Sequence, residues 1–214
     1  MTAVDEGFAA RLRAATRGEH EHAERLPFFD ALLAGALDRR AYTALLGQNH
    51  AFYTVLEDAG EVWRGHPLAG PFVVDALLRR SALEADLEFL LGADWLAETA
   101  PMPATAAYVD RLREVAFTDP VAFVAHHYTR YLGDLSGGQV LLRGAREVYG
   151  LDRDGVRFFL FDDIDRIKPF RDRYRALLDG APFDDAQRAA LIAEANHAFR
   201  LNRAVFDGLG ERFR

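Results

Sequence analysis

The segment from Gly133 to Gly138 carries three glycines, an acid and a hydroxyl within a stretch whose flanks have helical periodicity. A glycine in a helix interior costs about 1 kcal/mol relative to alanine, so three of them this close together require a compensating role. Gly133 and Gly137 are four residues apart and share one helix face, with Gly138 beside them. A face without Cβ atoms lets a ligand approach the backbone and lets the helix bend. With the carboxylate of Asp134 next to it, this face is typical of a ligand-binding surface.

Two other interpretations of the glycines are open. They can end one helix and begin the next, or they can allow two helices to pack closely. Because the glycines enclose a carboxylate, Asp134, and a hydroxyl, Ser136, we favour the ligand surface. The chain has seven histidines and no cysteine, so a soft metal at such a surface would need a His or Met ligand from the protein.

The elements that must position these residues are helices. Apolar residues recur with the spacing of an amphipathic helix in two long stretches. The two stripes consist of Tyr42, Leu45, Leu46, Asn49, Phe52, Tyr53 and Leu56, and of Leu191, Ile192, Ala195, Ala198, Phe199, Asn202, Val205 and Phe206. No run of alternating β-branched residues predicts a strand. With no repeat and no long linker, we expect an all-α fold, a single compact multi-helix domain over residues 1–214.

Capping residues, glycines and prolines predict where the helices begin and end. In the first half we expect a helix from near Asp5 to Pro27, a helix capped by Asp38 that carries Tyr42 to Leu56, a loop over 65–71, and a helix from Ser81 to Leu91 that stops at Gly92. In the second half we expect a helix from Thr105 to Val115 and a helix that begins at Asp119-Pro120 and runs past the glycines. A break over 180–182 then precedes a last helix, capped by Asp184.

Composition and charge exclude several classes of protein. The net charge of −7 argues against nonspecific nucleic-acid binding, which needs a basic face. No apolar run approaches the roughly 18 residues that span a membrane, and the N-terminal residues lack the basic-then-apolar pattern of a secretory signal. We therefore expect a cytoplasmic monomer without a nucleic-acid or membrane partner.

The stretch from Tyr128 to Leu141, which reads YTRYLGDLSGGQVL, closely resembles the distal-helix signature of heme oxygenases. The resemblance extends over nearly the whole chain. Residues 12–24 resemble the family's proximal helix, residues 82–87 an interior helix, residues 167–175 the basic helix near the heme propionates, and residues 198–206 the last core helix.

The resemblance implies a fold in which heme lies between a proximal helix and a kinked distal helix. Heme b would be both cofactor and substrate, and O2 would convert it to biliverdin, CO and ferrous iron, with cleavage expected at the α-meso carbon. No flavin or nicotinamide motif occurs in the sequence, so the electrons would come from an external reductase or ferredoxin.

The family pattern assigns His20 as the iron ligand. One helix face carries Arg13, Thr16, His20 and Glu24. Glu24 can therefore accept the second imidazole N–H of His20, directly or through water. His22 lies about 200° further around the helix, so we expect it at the surface.

On the distal side, the resemblance implies that Asp134 holds an ordered water that donates a hydrogen bond and a proton during the reaction. The glycine backbone would crowd the distal side so that O2 leans toward one meso edge. Tyr53, Thr129, Arg130 and Asn202 match family positions that extend the water network; alternatively, they are ordinary buried polar residues satisfied by their neighbours. The remaining residues assigned to catalysis or heme binding are Gly133, Ser136, Gly137, Gly138 and Phe199.

The heme carboxylates need cations. Lys168, Arg171 and Arg175 have the spacing of a basic helical stripe, although alone they would be interpreted as a solvated face. Arg13 can join them from the proximal helix, and Tyr128 can donate a hydrogen bond. The adjacent histidines 126 and 127 are expected in the core or close to the pocket, without a role as iron ligands.

Two other functions are open. A heme carrier or sensor would have a similar pocket, but Asp134 beside three glycines would then have no purpose. Another helical enzyme of similar architecture, such as a thiamine-degrading or quinone-cofactor type, has no need for His20 and the GDLSGG segment together. Addition of heme, O2 and a reductant separates these functions, because loss of the Soret band with a green product indicates the enzyme.

Overall fold

The computed structural model describes residues 7–24 and 26–214, and the side chains of residues 23 and 24 lie outside this description. The described part of the chain contains ten α-helices and no strand, which confirms the prediction of an all-α fold. The helices are α1 (Phe8–Glu24), α2 (Pro27–Leu33), α3 (Arg39–Trp63), α4 (Arg80–Leu91), α5 (Trp95–Glu98), α6 (Pro103–Val115), α7 (Pro120–His127), α8 (Gly138–Tyr149), α9 (Ile167–Gly180) and α10 (Asp185–Arg212). A π-helical turn (Tyr128–Leu132) follows α7, and short 3-10 turns lie at Gly70–Phe72, Asp75–Leu77 and Arg157–Phe159.

Three predicted aspartate caps begin helices as expected. The carboxylates of Asp38 and Asp119 each accept hydrogen bonds from two backbone N–H groups in the first turn of α3 and α7. Asp184 accepts from the N–H of Gln187, whose side chain accepts from the N–H of Asp184, so that a reciprocal capping box begins α10. These contacts satisfy N–H groups that a helix start leaves without a backbone partner.

Two prolines begin helices rather than end them. Pro27, expected to close the first helix, is the first residue of α2. Pro103 likewise begins α6, two residues before the expected start at Thr105. Proline fits this position because its φ is close to the helical value and its missing N–H would have no partner there. α1 begins at Phe8, three residues after the expected start near Asp5, which itself lies outside the described residues.

The long helices α3 and α10 form the centre of the fold. α10 packs against α1, α6 and α7, and α3 packs against α4 and α6. Both helices bury the apolar stripes predicted for them, and Phe52 and Tyr53 of α3 have no exposed surface. Since full burial of a large apolar side chain contributes about 1.5–3 kcal/mol, these stripes hold the shorter helices in place. Among the described helices, none is both long and apolar enough to cross a membrane.

The bent helix predicted after Asp119 is interrupted between α7 and α8. α7 ends at His127 and continues as the π-helical turn, and residues 135–137 form a turn before α8 begins. The prediction of a bend near the glycines is therefore confirmed, but the π-helical turn just before them was not predicted. Such a turn admits an extra residue and so redirects the side chains that follow it, and it is frequent at functional sites.

Candidate functional site

A cavity of about 290 Å³ opens between α1, α2, α8, α10 and the segment that joins α7 to α8. The residues predicted from the sequence that line this cavity are His20, Thr129, Arg130, Gly133, Asp134, Gly137, Gly138, Phe199 and Asn202. The first of these lies on α1, and the others come from the distal segment and from α10. The fold thus brings together residues that are more than 100 positions apart in the sequence.

Two of the three glycines leave open space beside the backbone. A Cβ atom added to Gly133 would meet no atom within 4 Å, and one added to Gly137 would meet only the carbonyl oxygen of Gly133, at 3.6 Å. Gly138 differs, because a Cβ there would lie 3.1 Å from the Phe159 ring. The bare face predicted for all three therefore consists of Gly133 and Gly137, whereas Gly138 allows close packing.

His20 contributes an imidazole to the cavity from α1. Its ring meets the edge of the Phe199 ring from α10, with the centroids 5.8 Å apart. His22 is exposed, as predicted. The side chain of Glu24 lies outside the described residues, so its expected hydrogen bond to His20 stays a prediction.

A polar network lies at the distal end of the cavity. Tyr53 Oη donates a hydrogen bond to the carboxylate of Asp134, and Arg130 Nη2 lies 3.4 Å from Asp134 Oδ1. Arg130 Nη1 lies 2.5 Å from Asn202 Oδ1. The guanidinium also stacks over the Phe52 ring, 4.4 Å from its centroid. These polar residues therefore contact one another directly, as in the alternative in which buried polar residues are satisfied by their neighbours.

Burial raises the pKa of two acidic groups in this network. It raises the pKa of the Asp134 carboxyl, although the positive charge of Arg130 and the hydrogen bond from Tyr53 oppose this rise. Burial, together with the negative charge of Asp134, also raises the pKa of the Tyr53 hydroxyl well above its ordinary value. The phenol thus keeps its proton and donates, while the carboxyl titrates closer to neutral pH than an exposed aspartate. Such a carboxyl can take up and release protons during a reaction.

Cationic side chains gather where α1 and α9 meet. Burial lowers the pKa of Arg171, and the positive charges of Arg175 and Arg13 lower it further. Arg171 Nε is buried and has no hydrogen-bond partner among the described residues. The same two neighbouring arginines also lower the pKa of the Tyr128 hydroxyl, although burial raises it overall. Like charges held this close together favour an anion beside them.

Lys168 is an exposed member of the predicted cations. Its side chain is 89% exposed and forms an ion pair with Asp172, which also pairs with Arg175. Exposed pairs of this kind contribute little to stability and exchange partners readily. Lys168 therefore lies at the solvent edge of the cationic group.

Two of the predicted hydroxyls satisfy backbone carbonyls. The Ser136 hydroxyl donates to the carbonyl of Leu132, and the Thr129 hydroxyl donates to that of Ala125. Thr129 still lines the cavity, whereas Ser136 is not among its lining residues. Both bonds fall where the helix is irregular and backbone groups need other partners.

Five lining residues were not assigned to the site from the sequence, namely Phe29, Leu33, Val140, Leu141 and Phe206. Phe206 follows Phe199 by two helical turns and was predicted as part of the apolar stripe of α10. Phe29 stacks edge-on against Phe206, with the centroids 4.6 Å apart. The apolar residues after Pro27 were the available signal for Phe29 and Leu33, but no helix was assigned to them from the sequence.

The arrangement fits a flat, mostly apolar group that carries a metal and negative substituents. The walls are largely apolar, one imidazole reaches in from α1, and the backbone at Gly133 and Gly137 leaves room for a ring. The cations of α1 and α9 can receive carboxylates. The acid Asp134 stands at the cavity wall, where it can serve as a proton donor or acceptor.

Comparison with known proteins gives consistent matches along most of the chain. A family model described as Heme oxygenase matches residues 6–208. Heme oxygenase 1 of Synechocystis sp. is 38% identical to this chain over 201 residues, which covers 94% of this chain and 84% of the relative. The heme oxygenase of Pyropia yezoensis is 40% identical over 202 residues, which covers 94% and 85%.

The fold is also similar to that of solved structures. The crystal structure of heme oxygenase-1 from the cyanobacterium Synechocystis sp. in complex with heme matches with a TM-score of 0.91 and 37% sequence identity. The match covers 96% of this chain and 93% of that one.

Proposed function

Because this chain belongs to the heme oxygenase family, we propose that the cavity beside α1 and the glycines holds heme, with His20 as the iron ligand. The chain is a heme oxygenase, an enzyme that degrades heme, and heme is both its cofactor and its substrate.

The observation that carries these assignments is that His20 and the open glycines line one cavity. A histidine nitrogen is a common axial ligand of heme iron. Gly133 and Gly137 offer a backbone surface without side chains, so that a ring bound at His20 has room on its other side. A side chain at either position would extend into this space.

When bound, heme supplies the iron at which O2 is activated and the porphyrin ring that is opened. Asp134 supplies protons to the distal side of the cavity, directly or through an ordered water. Tyr53 and Arg130 hold its carboxylate in place, and Asn202 holds Arg130. Tyr53, Arg130 and Asn202 are buried, so that their contacts orient the Asp134 carboxylate with little competition from bulk water.

The heme carboxylates bind to the cations between α1 and α9. Arg171 has a buried nitrogen that a carboxylate oxygen would satisfy, and Arg13 and Arg175 stand near enough to alter its pKa. Tyr128 donates a hydrogen bond to the same group. Lys168 contributes a long-range positive charge from the solvent edge.

The finer features of the reaction are part of the same proposal. We expect cleavage at the α-meso carbon to biliverdin, CO and ferrous iron, because the cations fix one edge of the ring and the open glycines leave room for O2 at another. The electrons come from a separate reductase or ferredoxin. A cytoplasmic location, a monomeric state and one domain over residues 1–214 complete the proposal; cell fractionation, light scattering and limited proteolysis test them in turn.

An absorbance time course tests the function. The purified protein is titrated with hemin, a ferredoxin system and O2 are added, and the products are identified by chromatography. We expect loss of the Soret band and formation of one biliverdin isomer with one CO per heme. A Soret band that persists through repeated reduction and oxygenation would instead indicate a carrier or sensor.

A further inference from the structure

Two consecutive buried histidines at the end of α7, His126 and His127, have no part in the proposed function. His126 Nε2 lies 2.9 Å from Glu194 Oε1, so that it joins α7 to α10. His127 is directed to another neighbour, because its Nδ1 lies 2.8 Å from Tyr174 Oη on α9. The rings of His127 and Tyr174 are nearly parallel, with an interplanar angle of 9°.

Tyr174 lies between the two arginines of α9 that are proposed to bind the heme carboxylates. Arg171 precedes it by three residues and Arg175 follows it directly. The tyrosine is buried, and its ring also packs edge-on against Phe72. Over so short a distance a helix moves as a unit, so the position of the Tyr174 side chain fixes where both guanidinium groups stand.

His127 in turn adjoins the distal network. It is followed directly by the π-helical turn, and its ring centroid lies 4.3 Å from that of Tyr131. The Tyr131 ring packs against Tyr53, which holds Asp134. One hydrogen bond therefore links the arginine-bearing face of α9 to the side of the cavity that supplies protons.

We propose that His127 and Tyr174 are positioning residues that set the rotation of heme within its plane, and thereby the meso carbon that is opened. This inference rests on the proposed function. The arginines hold one edge of the ring, while the distal network and the open glycines act at another. The hydrogen bond between His127 and Tyr174 fixes the relative position of these two groups, so its loss lets the ring rotate relative to the distal residues.

The ionisation of both partners keeps this contact constant. Burial lowers the pKa of His127 to about 3, so the imidazole is neutral near neutral pH. Burial raises the pKa of Tyr174 well above its ordinary value, so the phenol keeps its proton. The hydroxyl therefore donates and Nδ1 accepts, with no change over the pH range in which an enzyme of this kind works.

The substitution Tyr174→Phe tests the inference, because it removes the hydroxyl and leaves the ring. Tyr42→Phe is the matched control, since Tyr42 is equally buried and its hydroxyl donates to the carbonyl of Gly155, away from the arginines. Each variant is loaded with hemin, and proton NMR of the ferric complex records the heme methyl resonances, whose order reports the rotation of heme against the axial imidazole. This readout needs no turnover.

We expect Y42F to reproduce the methyl pattern of the unaltered protein and Y174F to show a second or shifted pattern. The population ratio of the minor to the major heme orientation should rise about fivefold, as expected for loss of one hydrogen bond of about 1 kcal/mol. In the turnover assay, the share of a second biliverdin isomer should rise by the same factor. An unchanged methyl pattern and isomer ratio in a folded Y174F would overturn the inference.

His127→Leu removes the acceptor of the same hydrogen bond, and this variant replaces Y174F as the test if Y174F does not fold. The two variants and the double variant form a cycle, in which the double variant should show no larger rotation than either single one. Additive effects on the methyl pattern would mean that the two residues act separately, contrary to the inference.

If the unaltered protein binds hemin with an imidazole signature but forms no biliverdin, the proposed function fails, while the NMR result still decides the positioning role.

Discussion

The side chains of Arg130 and Asn202 meet at 2.5 Å between guanidinium Nη1 and amide Oδ1, across 72 positions of sequence. Arg130 belongs to the π-helical turn and Asn202 to α10, and both line the cavity. Because Arg130 is buried, each hydrogen bond that it makes replaces one that water would otherwise supply. This contact therefore fixes the distal segment against α10, one of the two long helices at the centre of the fold.

Replacement of Asn202 by alanine leaves a buried guanidinium nitrogen without its acceptor. We expect the free energy of unfolding to fall by about 1–3 kcal/mol, as for other buried polar groups that lose a partner. Urea denaturation of the heme-free protein measures the change. Asn196→Ala on the same helix is the control, since Asn196 donates only to the carbonyl of Ile192 in its own helix. Equal losses in the two variants would show that the contact with Arg130 has no special contribution.

Replacement of His20 by alanine tests the axial ligand. The hemin complex should lose its imidazole-type absorption and EPR signature, and free imidazole should restore it. The Kd for hemin should rise at least about tenfold, which corresponds to about 1.4 kcal/mol. His22→Ala is the control, because that side chain lies on the same helix and is exposed. If His20→Ala retains the signature without added imidazole, another group holds the iron.

Replacement of Asp134 by asparagine keeps the shape of the side chain and removes its ionisation. Because general acid–base catalysis contributes about 100-fold to 10,000-fold in rate, biliverdin formation should fall at least about 100-fold. Hemin affinity should stay within about threefold, since the proposed carboxylate-binding cations are unchanged. Asp110→Asn is the control, since Asp110 pairs with Arg113 on the surface. Full turnover by Asp134→Asn would contradict the role in proton supply.

Replacement of Gly133 by leucine fills space that the backbone leaves open. A Cβ there would meet no protein atom within 4 Å, so the variant should fold, but its side chain should obstruct the ring. We expect the Kd for hemin to rise at least about tenfold, with thermal stability nearly unchanged. Gly65→Leu is the control, since a Cβ at Gly65 also meets nothing within 4 Å. Equal hemin affinity in both variants would show that the space at Gly133 is not needed.

Acid should destabilise the heme-free protein through His127. The pKa of this imidazole is about 3 in the folded chain, below its ordinary value of 6.5. Below pH 6.5 the unfolded chain takes up a proton that the folded chain does not, so stability present at neutral pH is lost as the pH falls toward 3. Between these two pKa values, the free energy of unfolding falls by about 1.4 kcal/mol for each pH unit.

Urea titrations at pH 7, 6 and 5 isolate this contribution. At pH 7, His127→Phe should have a lower free energy of unfolding than the unaltered protein. This difference should decrease by up to about 2 kcal/mol at pH 5, because only the unaltered protein has the buried imidazole. If the difference in free energy of unfolding between His127→Phe and the unaltered protein is the same at all three pH values, the imidazole titrates normally in the folded chain.

The sequence predicted those features that depend on a few neighbouring residues. Asp38, Asp119 and Asp184 were recognised as caps because the N–H groups that they accept from lie within three positions. The stripes of α3 and α10 were recognised because their period is that of a helix. The glycine segment was recognised because its composition conflicts with its helical surroundings.

Features that depend on distant contacts were not predicted. The hydrogen bond from Tyr53 to Asp134 spans 81 positions, and nothing local to either residue indicates its partner. The π-helical turn places Arg130 against Asn202 of α10, a contact across 72 positions that the local sequence does not indicate. Pro27 signals a helix boundary in either direction, so the short helix that brings Phe29 and Leu33 to the cavity was interpreted only as the end of the preceding one.

The open backbone at Gly133 and Gly137 also limits how this enzyme can be made more heat-resistant. Glycine-to-alanine exchange at helical positions is a standard way to raise a melting temperature, since it reduces the freedom of the unfolded chain. At these two positions the added methyl groups would enter the space that is proposed to hold heme. Engineering for thermostability should therefore begin at surface glycines such as Gly18, where a methyl group meets no other atom.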